Sequence, residues 1–210
     1  MVDSPTLVVR PATASDVDNL ADVLARAFHD DPPLAWLLPD PATRPARLRR
    51  MFRTIIGIES LQHGGVEVVS AGQDDAQEIA GGAVWLPPGH WRPSASEYLR
   101  GGPHYVWALA TALSRVARYG RALERARPKE PHWYLKALGV DPAWQGKGVA
   151  KLLLRSRLEC CDADGEPAFL ETTRPGGVAL YERYGFQSIG DIAMPDGAPA
   201  QVAMWRAPVT

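Results

Sequence analysis

Two cysteines are all the chain has, and they are neighbours, Cys160 and Cys161. Adjacent residues on a helix point about 100° apart, so a bond between these two has poor geometry, and they offer no zinc-ligand spacing. No apolar run approaches the ~20 residues that span a bilayer. The start, MVDSPTLVVR, lacks the basic-then-apolar order of a secretion signal. Neither sign of charge dominates: 23 Lys and Arg against 24 Asp and Glu leave a net charge of −1, which argues against a nucleic-acid surface. There is no internal repeat, no low-complexity tract and no linker long enough to divide domains. These absences exclude a disulfide-stapled module, a membrane span and a polyanion binder. They leave one domain over residues 1–210 in a reducing cytoplasm as the expectation.

What is present is ordinary globular material, 46% hydrophobic over 210 residues, enough to bury a core. TLVVRPAT reads as a first strand. Thr13 then caps a helix with Asp16 in its first turn and Val17, Leu20, Leu24 and Phe28 as its buried stripe, and HDDPP stops it. A second helix is expected over Pro45 to Ile58. Arg44, Arg47, Arg50 and Arg53 recur along it every third residue, and Arg115, Arg118, Arg121 and Arg125 do much the same later. With the overall charge balanced, a solvated helix face is the expectation for both sets rather than an anion-binding one. GGVEVVS and EIAGGAVWLPP pattern as a hairpin joined by the charged AGQDDAQE. PPGHWRPSASEYLRGGP, with Trp91, reads as a loop holding a short helical turn, and His104 to Arg127 as a helix ended by Pro128. From Pro131 onward strand and helix alternate: HWYLKALGV, Gly148 to Cys161, PAFLET, Val178 to Tyr184, GFQSIGDIAM and AQVAMWRA. A β-α-β run of this kind requires at least one parallel strand pair, so the fold class is α/β, a mixed sheet with helices on both faces.

The decisive stretch is GVDPAWQGKGVAKLLL, residues 139–154. A Walker-type loop needs Ser or Thr after Gly-Lys, and here Gly148 follows Lys147. A dinucleotide turn needs a small residue where Lys151 stands. What remains is a helix start whose free N–H groups converge and whose dipole favours an anion. Gly146 and Gly148 can take positive φ and carry no side chain to keep the anion away. A pyrophosphate suits such a nest. So does a tight turn that needs glycine for geometry alone, and the stretch by itself does not separate the two.

QGKGVA fits the Q/R-x-x-G-x-G/A signature of the GNAT acyltransferase superfamily through Gln145, Gly148 and Ala150. ALYERYGF, residues 179–186, resembles its later Leu-Tyr-Glu-x-x-Gly-Phe motif. On these two motifs, in this order, the chain is identified as a member of the GNAT family. RPKEPHWYLKALGVDPAWQGKG and PAFLETTRPGGVALYERYGF most resemble its puromycin N-acetyltransferase branch, with a weaker likeness in VVRPATASDV and ARAFHDDP. The resemblance implies a strongly bent mixed sheet, splayed open between its fourth and fifth strands. It implies acetyl-CoA as donor, with the pyrophosphate on the turn Gln145, Gly146, Lys147, Gly148, Val149, Ala150, Lys151 and the pantetheine along Leu138, Gly139 and Val140 like an added strand. It also implies a small, puromycin-like primary amine as acceptor, hence an antibiotic-resistance role, in a monomer or homodimer without metal. Many relatives carry Asn where Gly177 stands, which leaves open what replaces that contact to the cofactor.

An amine that attacks a thioester must lose a proton, the carbonyl oxygen must be stabilised, and the thiolate must leave. No Ser-His-Asp or Cys-His set accompanies the motifs, so direct transfer without an acyl-enzyme is expected. The motif match assigns Tyr181 as the proton donor near sulfur, although Tyr181 and Tyr184 at i, i+3 also suit plain packing. Glu171, ending AFLE, is the candidate base, or else a salt-bridged carboxylate. Tyr134 and Lys136 share a strand face that points to the acceptor in relatives, with His132 on that face as plain surface. Asp30 and Asp31 are candidates to hold a cationic amine, though HDDPP also suits a simple turn. Acetylation of a protein amine, or acyl-CoA binding without turnover, are the alternatives.

Overall fold

The structure is a computed structural model that describes residues 6–72, 78–109, 112–173 and 176–209. Seven strands form one sheet in the order β1-β2-β3-β4-β5-β7-β6. They are β1 (Leu7–Pro11), β2 (Val66–Ala71), β3 (Glu78–Leu86), β4 (Trp133–Val140), β5 (Ala168–Thr173), β6 (Gln187–Ile192) and β7 (Gln201–Arg206). Only β4 and β5 pair in parallel, and the helix α6 (Val149–Asp164) crosses between them. Such a connection needs a dozen or more residues, and the segment between these strands supplies them.

Strand alternation sends neighbouring side chains to opposite faces. Val68 and Val84 pack with Leu20, Leu24, Phe52 and Ile56 under α1 (Val17–Ala27) and α3 (Arg44–Thr54). Val69 and Trp85 pack on the other face with Leu153, Leu154 and Leu158 of α6. The HDDPP stop is an active cap: Asp31 accepts from the Leu34 N–H at 3.1 Å and starts a short helix, α2 (Pro32–Leu37), that periodicity did not reveal. Before α1, the Thr13 N–H donates to Asp16 at 2.7 Å, and Arg10 of β1 donates twice to the same carboxylate, at 2.7 and 2.8 Å. Arg10 chiefly holds Asp16 down at about 2, against the opposing effect of burial. A folded-state value below the unfolded one gives stability that is present above about pH 4 and lost as pH falls toward 2. Arg10→Met is therefore expected to cost on the order of 1 kcal/mol at pH 6 and little at pH 2.5, measured by denaturant unfolding.

The opening in the sheet has a local cause. Trp85 pairs with Leu135 and Val84 with Ala137, so Lys136 is an extra, unpaired residue in β4. A bulge of this type bends and twists its strand. β4 and β5 stay in register only over Trp133–Leu135 and Ala168–Leu170, and beyond that point Glu171 to Thr173 pair with β7 alone. The splay between the fourth and fifth strands begins at this bulge.

The middle of the chain departs from expectation. The second helix ends at Thr54 and continues as a π-helical segment, Ile55–Ser60. The Pro- and Gly-rich stretch is helical from Ala95: α4 (Ala95–Leu109) holds Pro103, and a separate α5 (Leu113–Ala126) follows. The first arginine series is not a solvated face. Arg44 is buried and donates to the Leu38, His29 and Pro39 carbonyls, and Arg47 donates to Ala108. Most of the AGQDDAQE connection, residues 73–77, lies outside the described residues, as do Arg174 and Pro175. Both cysteines are free, and burial pushes the Cys161 thiol up to about 12.

Candidate active site

The glycine turn lies at the foot of the splay. Asp141 accepts from the Ala143 N–H at 3.0 Å and starts one 3-10 turn, Pro142–Trp144. The chain then passes through Gly146 (φ 76°) and Gly148 (φ 85°) before α6 begins at Val149. Only glycine adopts such φ values freely. A Cβ built at either position meets nothing within 4 Å, so positive φ, not crowding, is what requires glycine, and the space in front of the turn is open. Gln145 to Gly148 are exposed, Val149 is buried in the core, Ala150 is partly covered and Lys151 is exposed. The Lys147 ammonium sits 4.5 Å from the Trp144 ring centre. The first N–H groups of α6 have no partner within the helix. An open turn of this kind accepts a diphosphate without rearrangement, so the residues fit the group.

A groove of about 590 Å³ runs past this turn, lined by Leu138, Gly139, Val140, Gln145, Asp30 and Asp31. Gly139 carries no side chain for a packing reason: a Cβ there would meet Leu24 of α1 at 2.6 Å. An adjoining cavity of about 390 Å³ occupies the opening between β4 and β5 and shares Phe28, Asp31 and Leu138 with the groove. Asp31, Tyr134, Lys136, Glu171 and Tyr181 all line it, so the structure brings five of the expected residues to one chamber. Asp30 does not reach it. Its side chain is 88% exposed and bonded to His29.

The charges of the chamber are paired, with one exception. Glu171, with a side chain 5% exposed, lies 3.6 Å from the Arg127 guanidinium and near the Tyr134 hydroxyl. Burial pushes its carboxyl up, against the pull of Arg127, and one of its oxygens, Oε1, has no hydrogen-bond partner. The Lys136 ammonium sits 2.5 Å from Glu59, whose other oxygen accepts from the Tyr105 hydroxyl at 2.5 Å. Asp31 is the exception: burial raises its carboxyl, and no cation pairs with it among the described residues. Its charge is felt at the Tyr119 and Tyr181 hydroxyls, which burial chiefly holds above the usual tyrosine range. Tyr181 stands on α7 (Gly176–Glu182), edge-on to Phe186 with ring centres 5.8 Å apart. Tyr184 packs against the α6-side core, as expected. A Cβ at Gly177 would overlap the Thr172 Oγ1 at 1.9 Å, so α7 approaches β5 too closely for a side chain at this position.

One expectation changes here, and three residues of the site were not foreseen. His132 is not surface: it is fully buried, stacked on Trp91 at 4.1 Å, and burial lowers it to about 4. Glu59, Tyr105 and Arg127 were not singled out from the sequence. A lone carboxylate in the apolar run IIGIES was the available signal for Glu59. Among the described residues no group of three His, Cys, Asp or Glu could hold a metal ion, and no helix is long and apolar enough to cross a membrane.

A mixed sheet parted between a parallel pair, with a glycine turn and helix start beneath the opening, is the architecture of the GNAT-type acyltransferases. The chain belongs to that family: the acetyltransferase (GNAT) family matches residues 74–186. Its members transfer an acetyl group from acetyl-CoA to an amine. An uncharacterized N-acetyltransferase of Schizosaccharomyces pombe is 25% identical over 194 residues, 86% of this chain and 74% of the relative. The N-alpha-acetyltransferase RimI of Mycobacterium tuberculosis is 31% identical over 118 residues, 55% of this chain and 70% of the relative. A Corynebacterium glutamicum crystal structure, described as histone acetyltransferase HPA2 and related acetyltransferase, superposes with a TM-score of 0.74 at 30% identity, covering 99% of this chain and 98% of that one.

Proposed function

We propose that this acetyltransferase modifies a small primary amine with an aromatic or apolar body, of which puromycin is an example. The observation that carries the reading is Asp31, a desolvated carboxylate with no paired cation among the described residues, in a chamber that also holds Phe28, Phe52, Tyr119 and Tyr134. A cationic amine supplies the missing charge, and the rings accept the body attached to it. The diphosphate of acetyl-CoA rests on the amides of Gln145 to Lys151, and the pantetheine follows Leu138 to Val140, where β4 has left β5. Glu171, whose Oε1 faces the Arg127 guanidinium at 3.6 Å without a hydrogen bond, takes the proton of the amine, and Tyr181 gives one to the departing thiolate. Burial keeps the Tyr181 hydroxyl protonated at neutral pH, as a donor requires. Lys136, held by Glu59, offers the chamber only hydrogen-bond donors and so positions an oxygen of the acceptor. One domain accounts for both halves of the site.

A panel of small amines, including puromycin, with acetyl-CoA and detection of acetylated product by mass tests this. Product on an aromatic amine supports it. Product only on peptides would favour a protein acceptor, and coenzyme A binding without any product would mean an acyl-CoA-binding module. Coenzyme A at about 100 times its Kd should stabilise the fold by about 2.7 kcal/mol, read as a rise in Tm. Gly148→Val, which places a branched residue at φ 85°, should weaken coenzyme A by about tenfold or more while amine-independent properties change less.

A further inference from the structure

A second cavity, of about 510 Å³, lies between α3, the π-helical segment and α4. It shares no lining residue with the acceptor chamber. Its polar walls are Arg49, Arg50, Arg53, Thr54, His104 and Trp107, and among the described residues no carboxylate lines it. Arg49 and Arg53 are already ion-paired, with Asp18 and Asp22. Arg50 is not paired with any carboxylate among the described residues. Its guanidinium lies 4.5 Å from the Trp107 ring centre, its Nη2 is 3.2 Å from Nδ1 of His104, and its Nε is buried without a hydrogen-bond partner. A guanidinium only donates, so Nδ1 of His104 accepts and the imidazole proton sits on Nε2. The Thr54 hydroxyl is engaged on the Arg50 carbonyl. Every side-chain nitrogen on these walls is therefore a donor except Nδ1 of His104, which is already engaged by Arg50. A buried donor without an acceptor costs about 1–3 kcal/mol, and a bound anion removes that cost.

We propose that this cavity is an oxyanion-binding site, with Arg50 as principal ligand, for a carboxylate or phosphate carried on a small apolar body. Val17, Ile58 and the half-exposed Trp107 provide the apolar surface. The volume falls in the range of about 300–1,000 Å³ typical of small-molecule sites. The site stands back to back with the acceptor chamber. Gly57 and Ile58 line it while the next residue, Glu59, holds Lys136, and His104 and Trp107 flank Tyr105, which holds Glu59 in turn.

Phenyl phosphate and inorganic phosphate titrated into the full chain, followed by the Trp107 indole N–H resonance, test the proposal. A saturable shift is expected, tighter for phenyl phosphate, with Arg50→Met weakening it at least about tenfold at an unchanged Tm. Arg50→Lys, which keeps the charge but lacks the buried Nε, serves if the methionine variant is unstable, and should also bind more weakly. Arg115→Met, which removes an arginine stacked on Trp36 instead, should leave the shift intact. An unsaturable shift, wild-type affinity in either Arg50 variant, or equal weakening by Arg115→Met would overturn the site.

Discussion

Tyr181→Phe is expected to lower kcat by about two orders of magnitude or more while changing coenzyme A affinity by less than about threefold. The substitution removes one oxygen and keeps the ring. The edge-on contact with Phe186 and the packing of α7 on β5 therefore survive, and Tm should move little. What disappears is a protonated hydroxyl lining the acceptor chamber, near the charge of Asp31. In the proposed mechanism thiolate departure is the step that takes this proton, so the loss belongs in kcat rather than in binding. Steady-state kinetics with calorimetric coenzyme A titration separate the two. A variant as fast as the wild type would return Tyr181 to simple packing.

Asp31→Asn is the other large effect. Asparagine caps helices as well as aspartate, so the Leu34 N–H keeps its acceptor and α2 should persist. The negative charge is what is lost. Breaking a desolvated ion pair costs about 2–5 kcal/mol, so kcat/KM for a cationic amine should fall at least about thirtyfold, mostly through KM. Coenzyme A affinity should stay put. The pH profile gives an independent check. Burial raises the Asp31 carboxyl, so it protonates at higher pH than an exposed aspartate. In the wild type kcat/KM should drop as pH falls through that titration, and Asp31→Asn should flatten this limb. An unchanged acceptor KM would mean that the amine docks elsewhere in the chamber.

What could be read in the chain in advance was local. Alternation along VEVVSA and the glycines at 146, 148 and 185 place strands and turns within a few residues, because each depends on neighbouring φ values and side-chain periodicity. The start of a separate helix at Leu113 was missed because the sequence from His104 to Arg127 keeps a helical pattern throughout. The π-helical segment was missed because IIGIES runs on from the preceding helix with no side-chain pattern that separates a π-turn from an α-turn. His132 was misjudged for a related reason: its burial comes from Trp91, Phe169 and Trp205, which approach from three different parts of the chain.

The amino-acid order alone marked the family, through two contiguous motifs, and placed the turn around Gly146 and Gly148 and the helix that carries Tyr181. Contiguous motifs are legible in the order of residues because they depend on spacing along the backbone. Only the tertiary structure decided which charges are matched. Glu171 meets Arg127 and Lys136 meets Glu59 across long stretches of chain, and among the described residues Asp31 has no counter-ion. Ion pairing depends on distances through space and on burial, and neither is written in the order of residues.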